Sequence, residues 1–137
     1  MPQSPPAFAE RPLPAGRPVF RFVHFSIPHL PFVFDADGYN PPFNPLRARP
    51  DTAYVAQIHY VDRLVGELLA KLQAPGSLDR TTVVLFADHG FRSGGQEQNS
   101  RHVPFMVRKA GQTSRVDVTE DEPGEQLLRS LVQTCTP

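Results

Sequence analysis

Apolar residues recur at three- and four-residue steps through residues 51–73, at Tyr54, Ile58, Val61, Val65, Leu68 and Leu72. That spacing predicts one amphipathic helix burying a single stripe. Arg63, Glu67 and Lys71 stand four apart on another face, where opposite charges support a helix. Pro50 and Asp51 mark its start, Pro75 and Gly76 its stop. Residues 19–25 (VFRFVHF) and 81–87 (TTVVLFA) have the β-branched and aromatic content of strands. The first strand ends at Ser26, and Pro28 and Pro31 prevent a helix from starting there. Residues 102–108 (HVPFMVR) predict a third strand at a sheet edge, since Pro104 has no N–H for a ladder bond. Residues 120–133 predict a closing helix, with Leu127, Leu128, Leu131 and Val132 turned inward. Strand, helix, strand in this order implies a right-handed crossover onto a parallel sheet.

Composition narrows the picture. The chain of 137 residues suffices for one modest domain. Twelve of the 16 prolines fall in the first 50 residues, so residues 1–18 read as an irregular lead and residues 19–137 as the domain. Residues 34–50 form a long loop punctuated by proline and glycine, and loops of that kind often border a binding site. Fourteen basic and 14 acidic residues balance to zero, which gives no electrostatic footprint for nucleic acid. The cations are almost all arginine, the better partner for oxyanions; only Lys71 and Lys109 are lysines. A single cysteine, Cys135, permits neither an intrachain disulfide nor a cysteine metal cage. No apolar run is long enough to span a membrane, and the first residues lack the order of a signal peptide. The localisation is therefore open.

The chemistry concentrates at residues 83–90, VVLFADHG. A buried strand that ends in Asp88 and His89 delivers a carboxylate and an imidazole to the carboxyl edge of a sheet, where α/β proteins bind ligands. Both groups suit a divalent cation such as zinc or manganese. His29 follows the first predicted strand, and His102 precedes the third across a polar, glycine-rich loop. If the strands neighbour one another, His29, Asp88 and His89 share one sheet edge, with His102 folded back towards them. Simpler readings suffice for other groups. His24 reads as a sheet-face residue, His59 as a solvated helix residue, and Asp35 and Asp37 as flanks of a turn ending at Gly38. The run of acidic residues 119–125 reads as a solvated helix start.

The ordered segments FVHFSIPHLPF, AYVAQIHYVDRLVGELLAKLQ, TTVVLFADHG and HVPFMVRKAGQ resemble the second half of the sulfatase and alkaline phosphatase superfamily over residues 19–111. The resemblance implies an α/β fold, a partial alkaline-phosphatase-like three-layer sandwich with a mainly parallel sheet. It implies Asp88 and His89 as metal ligands, with Asp-His endings favouring zinc or manganese over calcium. His29 and His102 become the catalytic, substrate-side histidines, touching sulfate or phosphate oxygens or the leaving group. Arg101, or Arg92, stands in for the lysine that many sulfatases carry in this region.

The family's nucleophile and its remaining metal carboxylates belong to the first half of its domain. No C/S-x-P-x-R motif and no acidic pair precedes residue 19. The expectation is a carboxyl-terminal fragment of a metal-dependent hydrolase of sulfuric or phosphoric esters, inactive alone, its partner the missing amino-terminal half. A phosphoethanolamine or glycerol-phosphate transferase fragment and a non-catalytic truncated module are the alternatives. Relatives often work outside the cytoplasm.

Overall fold

The computed structural model describes residues 18–39, 50–74, 76–91, 102–118 and 121–134, and these divide into two compact units, residues 18–79 and residues 80–134.

The first unit is built on helix α1, Pro50–Gln73. The helix ends where sequence punctuation put it. The Gly76 amide donates to the Gln73 carbonyl at 2.8 Å, and Gly76 adopts φ +66°, a conformation that favours glycine just past a helix. The buried side chains of α1 are Ala53, Gln57, Tyr60 and Leu64, joined in the core by Phe32 and Leu78. This face is rotated by one residue from the predicted stripe. Ile58 is 40 % exposed, while Tyr54, Val61, Val65, Leu68 and Leu72 are only half-buried. The rotation follows from what covers the helix, which is the segment of residues 29–39 rather than a sheet. Phe32 meets Tyr54 edge-on at 6.1 Å, and Phe34 lies 5.3 Å from Tyr60. Gln57 accepts from the Val33 and Phe34 amides, both at 3.3 Å.

Residues 36–38 form the turn expected there. The Asp35 carboxylate accepts from the amides of Asp37 (2.9 Å) and Tyr39 (2.8 Å), and Gly38 takes φ +75° against the Tyr60 ring. Arg63 closes the turn by stacking 5.1 Å over Tyr60 and donating to the Asp37 carbonyl. Its partner within the helix is Glu67 at 3.9 Å; both side chains are well exposed, so the pair contributes little.

The predicted strand over residues 19–25 does not form. The segment is extended, with Phe20 81 % and Phe22 67 % exposed, and it joins no ladder. The preference of such residues for strands is largely a preference for packing on a pleated neighbour, and no strand among the described residues lies beside it. His24 is exposed on this segment, not on a sheet face.

The second unit contains the only ladder among the described residues. Strands β1 (Val83–Phe86) and β2 (Phe105–Arg108) pair antiparallel, with Val83 opposite Arg108 and Phe86 opposite Phe105. The mainly parallel sheet is thus absent from the described residues, because the strand that was to lie beside β1 is not formed. Both strands are shorter than the apolar patterns that predict them. β2 begins directly after Pro104, which lacks a donor, and ahead of β1 the Thr82 hydroxyl instead accepts the Ala110 amide at 3.3 Å. Helix α2 spans Gly124–Thr134. It starts four residues later than predicted because Pro123 pushes the residue before it out of the helical region. The Pro123 carbonyl accepts the first helical bonds, from Gln126 (2.9 Å) and Leu127 (3.2 Å). Of its predicted inner residues, Leu127, Leu128 and Leu131 are half-buried, while Val132 is exposed. No apolar side chain described in this unit is fully buried. No described helix is long and apolar enough to cross a membrane.

Candidate functional site

Strand β1 ends at Phe86, and two residues later the chain reaches Asp88 and His89. The antiparallel register brings the start of β2 opposite the end of β1, so Asp88, His89 and His102 leave the ladder at the same end. An Asp at this point has a local task as well. Its Oδ1 accepts the backbone amide of His89 at 3.1 Å, which orients the carboxylate as the chain turns out of the strand. Asp88 is exposed, His89 half-buried and His102 exposed.

The His89 ring is fixed by its own backbone. Nδ1 lies 2.8 Å from the Gly90 carbonyl oxygen. A carbonyl can only accept, so Nδ1 carries a proton, and Nε2 is the ring nitrogen that offers a lone pair to a cation. Metal-ligating histidines use this arrangement, in which one ring nitrogen bonds a carbonyl and the other faces the cation.

His29 repeats the device in the first unit. Its Nδ1 lies 2.7 Å from the Leu30 carbonyl oxygen, and its own amide donates to the Ser26 carbonyl at 3.3 Å. The residues around it form a turn with cis peptide bonds before Pro28 and Pro31. The expectation that His29 and Asp88 share one sheet edge rested on a strand over residues 19–25, and that strand is absent. His29 belongs to the first unit; Asp88, His89 and His102 belong to the second.

Arg92 and Arg101 lie outside the described residues, as does Cys135. Among the described residues no three His, Cys, Asp or Glu side chains form a group able to hold a metal ion. Asp88 and His89 are donor types that a divalent cation takes, and no third such side chain joins them among the described residues.

One polar residue escapes sequence reasoning. Gln57 is fully buried, and besides its two backbone acceptor bonds its Nε2 donates to the His29 carbonyl at 3.5 Å. The available signal was its spacing with Ala53, Tyr60 and Leu64, but a glutamine among these positions does not read as core.

Comparison with curated proteins and with solved structures gives no match. A family model described as Sulfatase matches residues 9–129. Because that match takes in both units, with His29, Asp88, His89 and His102 all inside it, the chain belongs to the sulfatase family.

Proposed function

We propose that this chain supplies part of the active site of a metal-dependent hydrolase of sulfuric, or phosphoric, esters. Asp88 and His89 are two of the metal's ligands, and zinc or manganese suits them better than calcium. When bound, the cation supplies Lewis acidity toward the ester oxygens. His29 and His102 act on the substrate side, with Arg101 as a further anion partner. The observation that carries this reading is the shared anchoring of His29 and His89 through Nδ1, at 2.7 and 2.8 Å from the next residue's carbonyl. An imidazole held in this way exchanges protons only at Nε2. In His89 that atom faces a cation; in His29 it takes up a proton and delivers it to an ester or leaving-group oxygen.

The 137 residues contain no C/S-x-P-x-R nucleophile motif. The nucleophile and the remaining carboxylates come from polypeptide beyond residues 19–137, which form the carboxyl-terminal part of the domain. The same polypeptide adds the strands of a mainly parallel sheet and covers the second unit, whose described apolar side chains are at most half-buried. The Asp-His ending, rather than Asp-Asn, favours a phosphoethanolamine or glycerol-phosphate transferase as the second reading.

The test is calorimetric titration of the purified chain with zinc and with manganese, beside an aryl sulfatase and phosphodiesterase assay. Weak binding that Asp88→Ala or His89→Ala abolishes, without turnover, is the expected result. Metal binding indifferent to both substitutions refutes the ligand assignment. Turnover that Asp88→Ala abolishes refutes the incomplete site, since half a constellation does not give half the rate.

A further inference from the structure

We propose that Gln57 is a positioning residue for His29, holding its imidazole through the backbone of residues 29–34; this rests on the reading of His29 as a substrate-side histidine. That segment belongs to no helix or strand, so its path depends on what it touches along α1. The Phe32 and Phe34 rings supply apolar contacts with Tyr54 and Tyr60, which resist separation but tolerate sliding. Hydrogen bonds fix register, and Gln57 makes three of them. Oε1 accepts the consecutive Val33 and Phe34 amides, and Nε2 donates to the His29 carbonyl in the longest and weakest of the three, 3.5 Å.

The consequence for the ring is direct. The His29 carbonyl that Gln57 holds belongs to the peptide joining His29 to Leu30, and the Leu30 carbonyl one peptide later accepts Nδ1–H at 2.7 Å. Rotation of that peptide moves the acceptor away from Nδ1 and releases the tautomer. A glutamine in a fully buried helix position costs desolvation, and an apolar residue of equal size would leave two part-buried amides without this acceptor. The residue type is thus matched to the segment it holds, not to the helix that bears it.

The experiment compares the full chain with Gln57→Met, which keeps the volume and removes every bond, and with Gln57→Glu, which keeps the acceptor. Readouts are amide exchange at Val33 and Phe34, the nitrogen resonances of the His29 ring, and their response to inorganic sulfate. In the unsubstituted chain both amides exchange slowly and the ring shows a single Nδ1–H tautomer. Gln57→Met frees the amides, mixes the tautomers and weakens sulfate binding roughly tenfold or more, the range for losing an outer-shell partner. Gln57→Glu restores amide protection but not the tautomer, because a carboxylate cannot donate to the His29 carbonyl. Native tautomer signals in a folded Gln57→Met chain overturn the proposal. Should Gln57→Met not fold, rapid exchange of the Val33 and Phe34 amides in the unsubstituted chain, or a single native tautomer in folded Gln57→Glu, overturns it equally. His29→Ala separates the two claims. If it leaves sulfate affinity unchanged, the substrate role of His29 is wrong, whereas Gln57 is still judged on amide exchange and tautomer.

Discussion

Replacing Gly38 by alanine tests whether the turn over residues 36–38 is locked onto α1. Two penalties combine there. Gly38 has φ +75°, and a left-handed conformation costs an L-residue about 1–2 kcal/mol. A Cβ at this position also meets the Tyr60 ring, with Cζ at 2.6 Å, and Arg63 Nη2 at 3.0 Å. Tyr60 is fully buried, so its ring cannot swing aside, and overpacking of this kind costs about 1–3 kcal/mol. Alanine stiffens the unfolded chain and returns about 0.4–1 kcal/mol. The net loss is about 1–4.5 kcal/mol, a large share of what a small unit has. Two controls isolate the terms. Gly76 has φ +66° but nothing within 4 Å, so Gly76→Ala pays the conformational term alone and loses at most ~1.5 kcal/mol. Gly66 lies inside α1 with nothing within 4 Å, and Gly66→Ala gains about 0.5–1 kcal/mol. The assay is urea unfolding followed by tyrosine fluorescence. The chain has no tryptophan, and its three tyrosines, Tyr39, Tyr54 and Tyr60, all lie in the first unit. With a slope of about 1–2 kcal/mol per molar urea, Gly38→Ala lowers the midpoint by roughly 1–2 M and Gly66→Ala raises it. A Gly38→Ala midpoint equal to that of Gly76→Ala would show that the Tyr60 ring does not bear on the turn, and the packing argument fails.

Arg63 and Asp37 provide a second test, because Arg63 bonds the Asp37 carbonyl while the carboxylate lies 3.8 Å off and is 90 % exposed. Arg63→Met should lose about 1–2 kcal/mol from the ring stack and the carbonyl bond, and Asp37→Asn less than about 0.5 kcal/mol, in the same urea titration; equal losses would assign the effect to the ion pair instead. In the second unit, Phe86 and Phe105 face each other across the ladder at 5.8 Å. A double-mutant cycle to alanine, read by thermal unfolding, should return a coupling of about 0.5–1 kcal/mol, and additivity would mean the register differs.

The parts of the fold legible in sequence are those whose signal is local. The period of α1, its stop at Gly76 and the Asp35–Gly38 turn follow from three- and four-residue spacing and turn chemistry alone. Long-range partners are where the reading departs. VFRFVHF over residues 19–25 has strand composition without a strand to pair with, and the buried face of α1 is set by the segment that covers it, one residue round from the apolar stripe. The candidate site divides along the same line. Asp88 and His89 could be picked out because a strand ends just before them; the tautomers of His29 and His89 depend on backbone carbonyls and could not. Gln57 was invisible for the reason that makes it useful: its partners are amides, which no sequence pattern displays.

The Phe86–Phe105 register has a bearing on how such a chain can diversify. The ladder anchors His89 three residues after one strand and His102 three residues before the other, so both ends of the intervening stretch are tethered independently of its content. Closing a longer connection between fixed ends costs only about 0.6 kcal/mol for each doubling of its length. That is no more than the coupling expected from the Phe pair itself. Insertions, deletions and exchanges between residues 90 and 101 are therefore inexpensive for the scaffold, while a substitution at Phe86 or Phe105 acts on both anchors at once. Variation in the length of that stretch and preservation of the ladder thus fall on separate parts of the sequence.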